Sequence, residues 1–131
     1  MDSALHDILI HTYNADPLLR KQAETALDQF VITDGALFVL LSFVGNQSIH
    51  RDLRQASGII IKNKICQLWR EVAGDTNDPE QRVYLQPAEK HQARGMLLEV
   101  LLVETDNSIR GLMAEAIKSV AEVALLLPPR F

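Results

Sequence analysis

The stretch Arg54-Gln55-Ala56-Ser57-Gly58-Ile59-Ile60-Ile61-Lys62-Asn63-Lys64-Ile65-Cys66-Gln67-Leu68-Trp69 decides how this chain folds. Together with Leu53 it places Ala56, Ile59, Ile60, Ile61, Ile65, Cys66, Leu68 and Trp69 almost all the way round a helical wheel. A helix that is apolar on more than one side is packed on more than one side. The spacing therefore predicts a helix over about 50–72, capped by Ser48, lying between other helices rather than on the surface.

Upstream, Ala4, Leu5, Ile8 and Leu9 form an apolar stripe at helical spacing over 3–13, and Asp2 or Ser3 can cap it. Asn14-Ala15-Asp16-Pro17 restarts the helix, with Asp16 as N-cap and Pro17 at the first helical position, where a missing N–H costs nothing. The second helix, 18–32, carries Leu19, Ala23, Ala26, Leu27 and Phe30 on one face and Arg20, Lys21, Glu24, Thr25 and Asp28 on the other. After the break Thr33-Asp34-Gly35, a short and very apolar third helix covers 36–44 and ends at Gly45-Asn46.

Downstream, 73–86 holds Gly74, Asp75, Asp78, Pro79 and Glu80 and reads as an acidic loop. Pro87 opens a fifth helix to about 104. Asp106-Asn107-Ser108 caps a sixth over 109–127, whose stripe is Ile109, Leu112, Met113, Ala116, Val120, Val123, Ala124 and Leu127. Glu115, Lys118, Ser119 and Glu122 form its polar arc, and Pro128-Pro129 stops it. No segment alternates with the period of a strand.

Composition narrows the function. The 131 residues suit one domain, and 47% hydrophobic with 23% charged residues is a globular balance. A net charge of −4 argues against a protein that holds nucleic acid through its phosphates. The single Cys66 and four scattered histidines (His6, His11, His50, His91) make neither a disulfide nor a zinc site, so no metal is expected. The run 36–44 is far short of the ~20 apolar residues of a membrane span, and Met1-Asp2-Ser3-Ala4 starts no secretory signal. Cys66 in an apolar helix behaves as a small hydrophobe. The glycines are scattered singly, so no phosphate-binding loop exists. Neither an enzyme nor a cofactor is expected.

The helices pair, and the pairs repeat. Arg20-x-x-Ala23-Glu24-x-x-Leu27 and Arg110-x-x-x-Ala114-Glu115-x-Ile117 echo each other, with Arg54-Gln55-Ala56 between them. Ala23 to Ala114 covers two steps of roughly 45 residues, the length of HEAT-type helical pairs. The expected fold is all-α: a right-handed HEAT-type α-solenoid of three hairpins (about 3–32, 36–72 and 87–127), with even-numbered helices in one layer and odd-numbered ones in the other. Leu125-Leu126-Leu127 either stack on further repeats or a partner, or fold back on the third hairpin.

The quoted stretch resembles the signature of the importin-β (karyopherin-β) N-terminal domain, whose second repeat reads roughly Arg-Gln-x-Ala-x-x-x-Leu-Lys-Asn-x-Ile-x-x-x-Trp. Lys62-Asn63 and Trp69 match at the right spacing, with Ile61 in place of leucine. Asp16-Pro17-x-x-Arg20-x-x-Ala23-Glu24-x-x-Leu27 is similar to that domain's first repeat, and the Arg110 motif to its third. Leu85-Gln86-Pro87-Ala88-Glu89-Lys90, then Arg94 with Leu97-Leu98, and the close Pro128-Pro129-Arg130-Phe131, resemble the importin seven/eight branch. Two departures stand out. Thr33-Asp34-Gly35 lacks an aromatic-rich start, and such receptors have many repeats where this chain has three.

The resemblance implies a nuclear transport receptor whose first repeats bind the small GTPase Ran in its GTP form through even-numbered helices. It would shuttle between nucleus and cytoplasm and meet cargo proteins and nuclear pore Phe-Gly repeats through the full-length receptor, with no direct nucleic acid contact and no membrane insertion. Carried over by motif, the Ran-binding candidates are Lys62 and Asn63 first, then Arg20, Glu24, Arg110 and Glu115. Asn63 reads equally well as an amide satisfied by a neighbouring helix or loop. Arg54 and Trp69 read as structural: an inter-repeat hydrogen bond and a packing anchor. The alternative function is a HEAT-type scaffold that binds another protein partner without Ran.

Overall fold

The computed structural model describes residues 2–31, 33, 35–69 and 87–126. The expected acidic loop 73–86 and the terminal Leu127-Pro128-Pro129-Arg130-Phe131 lie outside the described residues, as do the side chains of Cys66, Leu125 and Leu126. Among those described, six α-helices and no strand are found: α1 (Asp2–Thr12), α2 (Pro17–Val31), α3 (Ala36–Gly45), α4 (Arg51–Leu68), α5 (Pro87–Val103) and α6 (Asn107–Leu126). No single one of them is long and apolar enough to cross a membrane.

Their ends follow local chemistry. Asp16 Oδ1 accepts from the Leu18 N–H at 2.9 Å, and Asp106 Oδ1 from those of Ser108 and Ile109 at 2.9 and 3.2 Å. Both satisfy amides that a helix start leaves without intrahelical partners. Gly35 precedes α3 with φ +79°, a left-handed conformation that glycine adopts without steric cost. The expected Ser48 cap is replaced. The Ser48 N–H donates to Asn46 Oδ1 at 3.0 Å, and His50 Nδ1 accepts from the Asp52 N–H at 3.1 Å, so an imidazole caps α4.

Adjacent helices pair as antiparallel hairpins: α1 with α2, α3 with α4, α5 with α6. The pairs stack as a HEAT-like helical repeat, with α4 against α6 and α3 against α5. The first pair departs from the expected layering: α1 meets α4, and α2 only briefly meets α3. The core runs through all the pairs, with Leu5, Leu9, Leu41, Phe43, Ile61, Ile65, Trp69, Leu97, Ile109 and Met113 buried. The helical pattern of α4 is thereby explained, since α3, α6 and α1 each cover part of it. Three stripe residues are corrected: Ala4 is exposed, and Leu19 and Ile59 are 40% and 42% exposed, because no described helix covers those sides of α1, α2 and α4.

One polar cluster locks the second hairpin to the third. Arg54 on α4 is buried; its Nε donates to the Val44 carbonyl at 2.8 Å, and its guanidinium pairs with buried Glu104. The Val44 carbonyl lies in the last turn of α3, where helical partners run out. The other Glu104 oxygen accepts from the Thr105 and Asp106 N–H groups at 3.1 and 3.0 Å. Arg54 therefore makes the inter-repeat bond expected of it. Trp69 is the expected anchor, 2% exposed, with the Arg94 guanidinium 5.6 Å from its ring centroid.

Candidate functional site

The uncovered side of α4 is a contiguous strip. Arg51, Asp52, Ile59, Lys62 and Asn63 are exposed and Gln55 is half-buried. At 100° per residue these positions span an arc of about 120°. Helices α1 and α6 flank it. Helices α4 and α6 run in the same direction, since Arg51 bonds Asp106 at their N-terminal ends and Gly58 faces Leu112 and Met113 farther along. A Cβ added at Gly58 would lie 3.1 Å from Leu112 Cδ1, so glycine permits this close approach.

Electrostatically the strip has two halves. At the N-terminal half Arg51 is engaged: Nε and Nη2 donate to the Asp106 carboxylate, and Nη1 donates to Gln55 Oε1 at 2.8 Å and Asp52 Oδ1 at 3.3 Å. The hydrogen bond from Arg51 is the main reason the Asp106 carboxyl is held below the usual carboxylate range, and the same bond raises the Arg51 guanidinium. At the C-terminal half, no hydrogen bond or ion pair joins Lys62 or Asn63 to another described residue. Lys62 is thus an exposed lysine with no partner among the described residues. Asn63 is exposed too, and no described helix bonds its amide; the loop of the alternative reading lies outside the described residues.

The other candidates divide. Arg110 and Glu115 are exposed on α6, alongside α4. Arg20 and Glu24 are exposed on α2, whose main contact is α1, so they are not drawn into the α4–α6 face. Sequence reasoning missed two features of the strip: the Arg51–Asp106 tether and the open groove beside it. That groove, about 490 Å³, is lined by Ile10 of α1 and Tyr13 just beyond its end, and by His50, Asp52, Leu53 and Gln55 around the start of α4. A tyrosine at a helix end carries no motif, and only the placement of α1 on α4 gives it a role. Among the described residues no group of His, Cys, Asp or Glu could hold a metal ion.

The importin-beta N-terminal domain profile matches residues 23–103, a span that contains all of α3, α4 and α5. The chain belongs to the importin-β N-terminal domain family. A relative described as "Probable importin-7 homolog" from Dictyostelium discoideum is 33% identical over 72 residues, which is 53% of this chain and 7% of that protein. The chain therefore matches only a small part of that relative's length. In this importin-β N-terminal domain the signature residues fall into two groups. Arg54 and Trp69 hold the repeats together from inside, whereas Lys62 and Asn63 stand on the open strip of α4.

Proposed function

We propose that this importin-β N-terminal domain is a binding module for Ran in its GTP form, within a receptor for nucleocytoplasmic protein transport. The observation that carries the reading is the exposed Lys62-Asn63 pair of the family signature, joined to no other described residue, on the uncovered side of α4. A long charged side chain spends conformational freedom only when it is fixed. An exposed, unfixed lysine beside a rigid core is suited to steering and orienting a charged globular partner. Arg110 and Glu115, exposed on the parallel α6, would add contacts beside this strip, and Arg20 and Glu24 on α2 a separate, outlying one. Cargo proteins and nuclear pore Phe-Gly repeats would be met by the whole receptor, which would shuttle between nucleus and cytoplasm.

The test is titration of the purified chain with Ran loaded with GTP and, in parallel, with GDP. The reading expects binding to the GTP form, weakened at least tenfold by Lys62→Glu with helicity unchanged. Equal affinity for both nucleotide states, or no binding to either by the folded chain, overturns it in favour of a HEAT-type scaffold that ignores Ran.

A further inference from the structure

The groove between α1 and α4 exposes apolar side chains that the fold does not use. Ile10 is 45% and Tyr13 64% exposed, and they stand over Leu53, which is buried. The rim is polar, supplied by His50, Asp52 and Gln55. Asp52 and Gln55 also belong to the exposed strip that carries Lys62 and Asn63, so groove and strip are one continuous surface. Along the helix axis, Asp52 and Lys62 are separated by about 15 Å. A standard protein interface covers about 800 Å² on each partner, a patch roughly 30 Å across. A globular partner seated on Lys62 therefore reaches the groove.

We infer that the groove is the apolar half of the Ran-binding surface, taking one large aromatic or branched side chain of the GTPase between Ile10 and Tyr13. This inference rests on the reading proposed above. Interfaces combine a desolvated apolar anchor with a polar rim, and the anchor carries most of the affinity while charges set orientation and encounter rate. Tyr13 suits the wall of such a pocket: its ring offers apolar area and its hydroxyl stays wet. Lys62 then orients the partner, and the groove holds it.

The test compares the wild-type chain with Lys62→Glu, Tyr13→Ser, Tyr13→Phe and Ile10→Ser for binding to GTP-loaded Ran, with circular dichroism as the folding control. Serine is chosen because it leaves the charge unchanged. Tyr13→Ser is expected to weaken binding at least tenfold and Ile10→Ser severalfold, through faster dissociation, while Tyr13→Phe stays near wild type. Since both residues are substantially exposed, helicity and thermal midpoint should hold; should Tyr13→Ser lose helicity, Ile10→Ser decides. Wild-type affinity in Tyr13→Ser and Ile10→Ser, beside a loss in Lys62→Glu, overturns the groove and leaves the Ran reading standing. No binding by the wild-type chain overturns both.

Discussion

The junction between the second and third hairpins and the junction that attaches the first are built differently. In the former, α4 lies along α6 in the most extensive helix contact of the described structure, closed at Gly58 and fastened by the buried Arg54–Glu104 pair. In the latter, α1 touches α4 over a short stretch, α2 touches α3, and Ile10, Tyr13, Leu18 and Leu19 are left exposed. Its ties are apolar, chiefly Leu5 and Leu9, with the His6 ring 6.3 Å from that of Phe43. Buried polar groups permit only one arrangement, because any other leaves them unsatisfied. A few apolar contacts tolerate small shifts. The same signature thus specifies one junction tightly and leaves the other open, and the open one borders the strip that presents Lys62.

The largest effect expected from this difference comes from Arg54→Met. It removes the partner of a buried carboxylate and the donor to the Val44 carbonyl, and should cost about 3–5 kcal/mol in urea unfolding. Arg54→Met combined with Glu104→Gln should recover part of the loss, because the neutral amide needs no counter-charge and can still accept from the Thr105 and Asp106 N–H groups. Equal loss in the single and double variants would show that the Val44 bond, rather than the ion pair, fastens the junction.

Native-state hydrogen exchange reads the comparison directly. Amides of α1 and α2 should exchange through openings at least tenfold more frequent than those of α4 and α6, a difference of about 1.4 kcal/mol. Uniform protection across the six helices would mean that the first hairpin opens only with the whole domain.

Much of this was legible in the sequence, for identifiable reasons. Pro17, Gly35, Pro87 and the caps Asp16 and Asp106 act within a few residues of themselves, so helix starts could be read locally. The periodicity of α4 announced several neighbours without saying which, and it could not tell that Ile59 would stay uncovered. Ser48 was expected as a cap because hydroxyls commonly cap, whereas the structure uses the His50 ring. Glu104 gave no signal at all. A carboxylate after a helix reads as surface, and only Arg54, fifty positions earlier, makes it a buried one. The site divides in the same way: Lys62 and Asn63 stand out by motif, while Tyr13 becomes a groove wall only once α1 is laid on α4.

Glycines sharpen the picture at smaller scale. Gly111 has open space where a Cβ would go, so Gly111→Ala should stabilise by about 0.5–1 kcal/mol through the loss of unfolded-chain freedom. Gly58→Ala gains the same helical preference but presses on Leu112, and its thermal midpoint should fall below that of Gly111→Ala. Midpoints that coincide would mean that Leu112, half-buried, moves aside freely and that the approach of α4 to α6 is less tight than Gly58 implies.

The smallest effect concerns the exposed Arg51–Asp106 pair at the N-terminal end of the same junction. Its hydrogen bond holds the Asp106 carboxyl below the usual range. Such a group binds protons less readily folded than unfolded, so its contribution is complete above the unfolded value near 4 and is lost as pH falls through the lower folded value. Asp106→Asn keeps a side chain that caps helices about equally well, which isolates the charge from the cap. Wild type should therefore exceed Asp106→Asn in urea midpoint between pH 5 and 7, with the gap closing below about pH 4. Because the pair is exposed, added salt should shrink that gap, while the loss in Arg54→Met, which sits in a dry interior, should be nearly insensitive to salt. Equal urea midpoints for wild type and Asp106→Asn across this range would show Asp106 acting through its hydrogen bonds to Ser108 and Ile109 alone, which asparagine keeps. The tether would then be a helix cap with an incidental arginine, leaving Arg54 and Glu104 as the charge pair that distinguishes this junction from the first.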